Sequence, residues 1–154
     1  MTAYTLDTNI LIGMEQRYPR DVFPRVWAAL EQVMDEHRAC VCEEILDELK
    51  RGTDGLHAWA KSYDGFVCDI VPAEFNRAAT ISNAHPDWVR ETKNAGDPFL
   101  IAHAQVHGRT IVTEERRAGP GVADRNQKVP NVATEFGVAS ISFLELARAE
   151  GWQF

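Results

Sequence analysis

The fold of this chain is decided by its opening stretch, Tyr4-Thr5-Leu6-Asp7-Thr8-Asn9-Ile10-Leu11-Ile12. A short apolar run ends abruptly in the polar triplet Asp7-Thr8-Asn9, and a second apolar run begins straight after it. Short apolar runs bounded by polar residues predict buried strands, and α/β sheets place their ligands at the carboxyl ends of strands. We therefore expect Asp7 to point into the crevice at the top of a sheet. Capping of the following helix is the alternative, since Asp also favours that position.

Length and composition predict one soluble globular domain over residues 1–154. Hydrophobic residues make up 45% of the chain and charged residues 25%, and a chain of this length can bury a core without disulfides or metal ions. No apolar run approaches the length of a membrane span, and the N-terminus lacks the pattern of a signal peptide. We therefore expect a cytoplasmic protein with no membrane association.

The net charge of −7 argues against a protein that holds nucleic acid by phosphate neutralisation alone. An acidic protein can still act on nucleic acid if some of its carboxylates gather in one place and bind divalent cations. The positions of the acids along the chain therefore matter more than their number.

The cysteines and the paired histidines are predicted to have structural roles. The chain has three cysteines, Cys40, Cys42 and Cys68. They lie in apolar stretches and form no CxxC pair, so we expect buried free thiols. His103 and His107 have the four-residue spacing of some zinc ligands, but no HExxH glutamate or evident third ligand accompanies them. We expect them to be packing or surface histidines.

Strands alternate with helical stretches along the chain. After the first strand, further strands are predicted at residues 38–42, 66–71, 108–115 and 138–143. This alternation predicts a three-layer α/β/α domain with a mainly parallel central sheet. The carboxyl ends of parallel strands meet at one edge, so that edge is where we expect a site.

Acidic residues stand at several of these boundaries. Asp7 follows the first strand, Asp97 opens the helix after residue 96, and Glu114 and Glu115 end the strand at 108–115. The helix after the second strand can bring Glu48 to the same edge. Four clustered carboxylates repel one another, so such a site is costly unless it binds cations.

Two of these acids have alternative interpretations. Asp97 precedes Pro98, a pair typical of N-cap and N1, so we expect it to cap its helix, which does not prevent it from also holding a metal. Glu44 and Glu48 share a face of the helix predicted to end at Gly52, and like charges at that spacing repel unless a cation lies nearby. Glu44 is better explained as a surface residue that complements the helix dipole, and stays an alternate to Glu48.

Carboxylate-only sites suit Mg²⁺ or Mn²⁺ rather than zinc. A Mg²⁺ ion keeps several waters, and a water with lowered pKa can attack a phosphodiester while the metal offsets charge on the leaving oxygen. The acid pattern therefore favours metal-dependent phosphodiester hydrolysis.

In these motifs the chain resembles the PIN-domain family, the metal-dependent ribonuclease fold that includes the VapC-like toxins of bacterial toxin–antitoxin pairs. Four segments carry the resemblance, in the family's order and spacing: Leu6–Ile12, Cys42–Gly52, Asp97–Ala104 and Ile111–Glu115. Together with the intervening chain they cover nearly the whole sequence.

The resemblance implies roles for five residues. Asp7 and Asp97 would be direct metal ligands, and Glu48 would be a ligand or the base that orients water. Asn9 and Thr113 would hydrogen-bond to the metal-binding carboxylates. A further acid of the expected site comes from the fourth motif, Ile111–Glu115.

The fourth motif and the loop after it depart from the family pattern. Glu115 stands where the family usually carries Asp or Asn; we expect it to be catalytic and to bind metal, with Glu114 as the alternate. The segment 116–130 is longer than in compact toxins and is the most basic part of the chain. Arg116 and Arg117 in it are candidate RNA contacts.

The resemblance implies a Mg²⁺- or Mn²⁺-dependent ribonuclease, a hydrolase with an RNA substrate, an antitoxin protein as partner and a homodimeric state. A PIN-like binding module without catalysis is one alternative. A haloacid-dehalogenase-like phosphatase is another, but that chemistry needs a second Asp two residues after the first, where this chain has Asn9.

Overall fold

The computed structural model describes residues 1–51 and 55–154. Within them the chain forms one five-stranded sheet in which every neighbouring pair of strands is parallel. The strands are β1 (Tyr4–Leu6), β2 (Ala39–Cys42), β3 (Val67–Cys68), β4 (Thr110–Val112) and β5 (Ser140–Ile141). The predicted α/β class with a parallel central sheet is confirmed.

The strand order β3-β2-β1-β4-β5 creates a switch point next to β1. From β1 the chain proceeds through β2 to β3 on one side, and then crosses to β4 and β5 on the other. The neighbouring strands β1 and β4 therefore connect onward in opposite directions, which opens a crevice at their carboxyl ends. Asp7 follows β1 and Thr113 follows β4, so both residues lie at this crevice.

Eight helices surround the sheet in the described part of the chain. They are α1 (Thr8–Arg17), α2 (Pro24–Asp35), α3 (Glu43–Leu46), α4 (Leu56–Ser62), α5 (Pro72–Ala84), α6 (Asp97–His107), α7 (Val129–Glu135) and α8 (Phe143–Ala149). Short 3₁₀ turns follow α3 at Asp47–Arg51 and precede α7 at Asp124–Asn126. The predicted helix end at Gly52 lies outside the described residues.

The helices form a layer on each face of the sheet. On one face α6 contacts the sheet through His103, which bonds to Thr5 of β1, and nearly all its side chains from residue 98 to 104 are buried. On the other face Trp27 of α2 is buried, with its ring centroid 5.3 Å from that of Trp59 in α4. Its indole N–H donates to the carbonyl of Tyr18, which satisfies the buried donor.

Three predicted strands are shorter in the structure. The strand predicted at 66–71 extends over Val67–Cys68 alone, and Pro72 begins α5 shortly after it. The strands predicted at 108–115 and 138–143 extend over Thr110–Val112 and Ser140–Ile141.

The segment 116–130 is irregular only in part, since it contains the 3₁₀ turn Asp124–Asn126 and the start of α7 at Val129. His85 connects the turn to α7, because its Nδ1 lies 2.5 Å from Asp124 Oδ1 and its Nε2 lies 2.6 Å from Glu135 Oε2.

None of the helices in the described part of the chain has the length and apolarity needed to cross a bilayer.

Candidate functional site

A cavity of about 600 Å³ lies at the crevice between the ends of β1 and β4. All four acids expected to be catalytic line it: Asp7, Glu48, Asp97 and Glu115. They come from four separate segments of the chain. These segments meet at the edge of the sheet where the carboxyl ends of its parallel strands lie.

Asp7 is fixed by hydrogen bonds that cross the switch point. Its backbone N–H donates to Val112 O at 2.9 Å, which continues the β1–β4 ladder. Its carboxylate Oδ2 accepts from the Thr113 hydroxyl at 2.9 Å and from Asn9 Nδ2 at 3.2 Å. Asp7 occupies the N-cap position of α1, but its side chain makes no capping hydrogen bond. Thr113 and Asn9, rather than capping, therefore orient the carboxylate.

Asn9 and Thr113 also hold the chain that leaves β4. Asn9 Nδ2 donates to Thr113 Oγ1 at 3.1 Å, and Asn9 Oδ1 accepts from the Glu114 N–H at 3.1 Å. Thr113 Oγ1 accepts from the Glu115 N–H, also at 3.1 Å. These bonds set the directions of Glu114 and Glu115. Asn9 and Thr113 thus contact both the Asp7 carboxylate and the chain that leaves β4.

Glu48 lies in the 3₁₀ turn after α3, where its Oε2 accepts from the hydroxyl of Thr8 at 2.6 Å. Thr8 is fully buried and directly follows Asp7. This bond connects Glu48 to the start of α1, and leaves its other carboxylate oxygen to bind water or a cation.

Asp97 does not cap α6, in contrast to the expectation. It is the first helical residue, with Gly96 at the N-cap and Pro98 in the first turn. A Cβ placed on Gly96 would lie 2.5 Å from Cγ2 of Ile45 in α3, so a glycine is needed for α3 and α6 to approach this closely. That close approach brings Glu48 and Asp97 to the same cavity.

Glu115, rather than Glu114, faces the other acids. Glu115 lines the acidic cavity, and its Oε2 accepts from the Val129 N–H at the start of α7 at 2.7 Å. Glu114 turns the other way, where its Oε1 accepts from the Phe143 N–H at 3.0 Å. The other alternate, Glu44, is exposed and lines a different cavity on the far side of α3.

Two aspartates of the cavity, the buried Asp7 and the half-buried Asp97, have raised pKa values. Burial raises the pKa of Asp7 from 3.8 to about 7; the Thr113 hydrogen bond opposes this, and the charges of Glu115 and Glu48 add to it. Burial also raises the pKa of Asp97 to about 8, with further increases from the charges of Asp7, Glu115 and Glu48. A divalent cation would stabilise the ionised carboxylates. Among the described residues, the groups whose ligand atoms lie within 4.8 Å of one another do not include these acids, so their side chains would have to move closer together to hold one ion.

Arg116 and Arg117 lie next to this cavity. Both are exposed and line a neighbouring cavity of about 540 Å³ that also includes Thr113 and Glu115. Arg117 Nη2 donates to the hydroxyl of Thr134 at 2.6 Å, which directs its guanidinium along this surface. The two cavities share Glu115, so these cations border the acidic site.

Sequence reasoning missed several polar residues of the cavity. Thr8, the partner of Glu48, was within the opening polar triplet, and its position next to Asp7 was a signal that could have identified it. Asn94 and Thr92 also line the cavity from the irregular chain before α6. Asn94 has φ +59° and donates to Trp88 O at 2.9 Å. The sequence carried no periodicity there that would predict their position.

A second group of possible metal ligands lies between the sheet and α6. One ligand atom each from Cys40, Cys68 and His103 lie within 4.8 Å of one another, as do those from Glu74, His103 and His107. Both groups could hold a metal ion. His103 is buried and His107 is exposed, as expected of a packing and a surface histidine, and the structure adds side chains beside them that their spacing in the sequence did not indicate.

The thiols of this group are free, as predicted. Cys40 and Cys42 are buried, whereas Cys68 is half-buried. The hydrogen bond from Cys40, assisted by His103, lowers the pKa of the Cys68 thiol, and burial opposes this. The same sharing of a proton, together with burial, raises the pKa of Cys40.

Comparison with known proteins finds one family. A family model described as a domain of unknown function (DUF4411) matches residues 4–154. No curated protein matches the chain. The matched span runs from β1 to the last residue. It includes all four acids of the cavity and the possible metal ligands Cys40, Cys68 and His103. The chain therefore belongs to the DUF4411 family.

Proposed function

We propose that this protein is a Mg²⁺- or Mn²⁺-dependent endoribonuclease that hydrolyses phosphodiester bonds in RNA. The observation that carries the proposal is the meeting of four carboxylates, Asp7, Glu48, Asp97 and Glu115, in one cavity at the switch point of a parallel sheet. Parallel α/β sheets bind their ligands at such points.

The chemistry of the cavity suits a hard divalent cation. All four acids offer oxygen ligands, and the raised pKa values of Asp7 and Asp97 indicate that a counter-charge would stabilise their ionised forms. Asp7, Asp97 and Glu115 would hold the ion. When bound, it would supply a Lewis acid that lowers the pKa of water and offsets charge on the leaving oxygen.

The remaining polar residues orient the reaction. Thr8 holds one oxygen of Glu48, so the other oxygen can accept a proton from the attacking water. Asn9 and Thr113 keep the Asp7 carboxylate in place, since both donate to its Oδ2. Arg116 and Arg117, at the neighbouring cavity, would contact RNA phosphates and compensate for the acidic charge of the chain.

The four-motif resemblance supports a more specific proposal. We infer a single PIN-like domain over residues 1–154 that acts as a VapC-like toxin in the cytoplasm. An antitoxin protein would neutralise it, and it would form a homodimer, as is common among the proteins it resembles. A phosphatase of the haloacid-dehalogenase type is disfavoured, because Asn9 cannot act as a general acid and its amide bonds to Asp7 and Thr113.

The test is cleavage of a mixed pool of structured RNAs with Mg²⁺, with Mn²⁺ and with EDTA. We expect metal-dependent cutting by the wild-type protein, and its loss in Asp7→Asn and Glu48→Gln. The matched control is Glu44→Gln, which removes an exposed acid one helical turn from Glu48 and should cut normally. The proposal is wrong if Asp7→Asn cuts at the wild-type rate or if EDTA has no effect. If the wild-type protein neither cuts RNA nor binds Mn²⁺ in calorimetry, the binding module without catalysis is favoured.

A further inference from the structure

We propose that Cys40, Cys68 and His103 form a zinc site between the sheet and α6, separate from the acidic cavity. The three residues come from β2, β3 and α6. They were not grouped by the sequence, because the spacings between them match no zinc motif.

The register of the sheet places both sulfurs under α6. Cys42 pairs with Cys68 across the parallel β2–β3 ladder, so their side chains share one face of the sheet. Cys40 is two residues from Cys42 along the same strand and points to that face as well. All three thiols are therefore on the face that α6 covers, and Cys42 Sγ lies 4.0 Å from Phe99 O of that helix.

The separations fit tetrahedral zinc coordination. Cys40 Sγ lies 3.7 Å from His103 Nε2, and one ligand atom each from Cys40, Cys68 and His103 lie within 4.8 Å of one another. With Zn–S near 2.3 Å and Zn–N near 2.1 Å, a tetrahedral centre separates sulfur from nitrogen by about 3.6 Å. Small side-chain shifts would therefore close the site.

His103 is held in the orientation that a ligand needs. It is 1% exposed, and its Nδ1 lies 2.8 Å from the hydroxyl oxygen of Thr5, which is fully buried. A proton on Nδ1 donated to Thr5 leaves the lone pair of Nε2 facing the sulfurs. Metal-binding histidines are characteristically fixed by such a bond from the other ring nitrogen.

Glu74 lies beside His103 and belongs to the second group of possible ligands, with His103 and His107. Its carboxylate is 1% exposed, and Oε1 lies 3.9 Å from His103 Nε2. Oε1 also accepts from His107 Nε2 at 2.6 Å, while Oε2 accepts from the Val71 N–H at 3.0 Å. The carboxylate is thus held by His107 and by the backbone of Val71, next to the ring of His103.

Two thiolates and an imidazole select zinc over the hard cations of the acidic cavity, since thiolates are soft ligands. Binding replaces the thiol protons, which leave for solvent, so the charge of the ion is balanced by the two sulfurs. The site would attach β3, a strand of only two residues at the sheet edge, to β2 and α6. Zinc would therefore stabilise the fold.

The first test uses Co²⁺ as a spectroscopic probe of the reduced, chelator-treated protein. We expect the sulfur-to-cobalt charge-transfer band and the intense visible bands of a tetrahedral thiolate site, both abolished when Zn²⁺ is added. Cys40→Ser and Cys68→Ser should lose these bands. Cys42→Ser is the matched control and should keep them, because that thiol shares the face but lies outside the ligand group.

Asp7→Asn separates this site from the acidic cavity. Its cobalt spectrum should retain the thiolate bands, whereas loss of RNA cleavage in the same variant would concern the acidic site alone. The zinc proposal can therefore fail while the nuclease proposal stands, and the reverse is equally possible.

A second measurement does not depend on variants that fold. X-ray absorption at the zinc edge of the zinc-loaded wild-type protein should show two sulfur neighbours with nitrogen or oxygen neighbours. Zinc surrounded by oxygen and nitrogen alone would overturn the proposal. A cobalt spectrum without a thiolate band, recorded on protein whose three thiols are titrated as free, would overturn it as well.

Discussion

Replacing Asp7 with Asn should change how the stability of the metal-free protein depends on pH. Asp7 is 7% exposed, and burial, together with the charges of Glu115 and Glu48, raises its pKa from 3.8 to about 7. The folded protein therefore holds this proton more tightly than the unfolded chain. The associated stability is fully present below pH 3.8 and is lost as pH rises through about 7.

The size of the effect follows from the shift. One pKa unit corresponds to about 1.4 kcal/mol, so the wild-type protein should lose about 4 kcal/mol of unfolding free energy through Asp7 across this window. Asparagine keeps the shape of the side chain, has no proton to titrate and can accept the Thr113 hydrogen bond. Asp7→Asn should therefore match the wild-type stability at about pH 4 and exceed it by up to about 4 kcal/mol at about pH 8.

The assay is urea unfolding in EDTA at a series of pH values between these limits. Adding Mn²⁺ at the highest pH should stabilise the wild-type protein, because the ion favours the ionised carboxylates, and should have much less effect on Asp7→Asn. Glu44→Gln removes an exposed acid and should follow the wild-type curve. A stability difference between Asp7→Asn and the wild type that stays constant from low to high pH would refute the reasoning.

The protonation of Asp97 depends on the charge of Asp7. Its pKa of about 8 includes a contribution from the charge of Asp7, after the larger contribution from burial. Removing Asp7 lowers this pKa, so Asp7→Asn and Asp97→Asn should stabilise the metal-free protein by less together than the sum of their separate effects. Additive effects would mean that the two carboxylates do not share a site.

Three further predictions concern the geometry of the cavity. Glu48→Gln should abolish RNA cleavage while Glu44→Gln leaves it unchanged, because only the first removes an acid that lines the cavity. Gly96→Ala should lower the unfolding free energy by about 1–3 kcal/mol, as its Cβ would lie 2.5 Å from the Ile45 side chain. Arg117→Ala should raise the KM for RNA more than it lowers kcat and should reduce the salt dependence of binding, as expected for a phosphate contact.

Each of these has its own control and contradicting result. For the acids, equal activity in Glu48→Gln and the wild type would remove Glu48 from the reaction. For the glycine, Gly119→Ala is the control, since a Cβ there meets no atom within 4 Å. Equal unfolding free energies of Gly96→Ala and Gly119→Ala would mean that the Ile45 side chain moves aside at no cost. For the arginine, a loss in kcat alone would assign Arg117 to chemistry instead of binding.

The fold class and the four candidate acids of the cavity were predicted from the sequence. The alternation of strands and helices is a pattern of neighbouring residues, so it predicted the parallel sheet directly. Asp7 and Asn9 lie directly after a strand, and their placement at the sheet edge follows from the strand itself. Strand lengths were less predictable, as in β3, because pairing depends on the neighbouring strand as well as on propensity.

Other features depended on contacts between distant parts of the chain. Glu115 rather than Glu114 faces the cavity because Asn9 accepts a hydrogen bond from the Glu114 N–H, across a separation of 105 residues. Both residues are glutamates at the end of the same strand, so local sequence does not distinguish them. Asp97 begins its helix instead of capping it, because Gly96 packs against α3.

The sequence by itself determined the class of fold and the position of the first acid, since the class follows from the alternation of strands and helices along the chain and the acid directly follows the first strand. The tertiary structure decided that Glu115 rather than Glu114 lines the cavity, and it alone brought Cys40 and Cys68 beside His103. Sheet register and helix packing set those distances, and both are properties of the assembled chain in which residues far apart in sequence become neighbours.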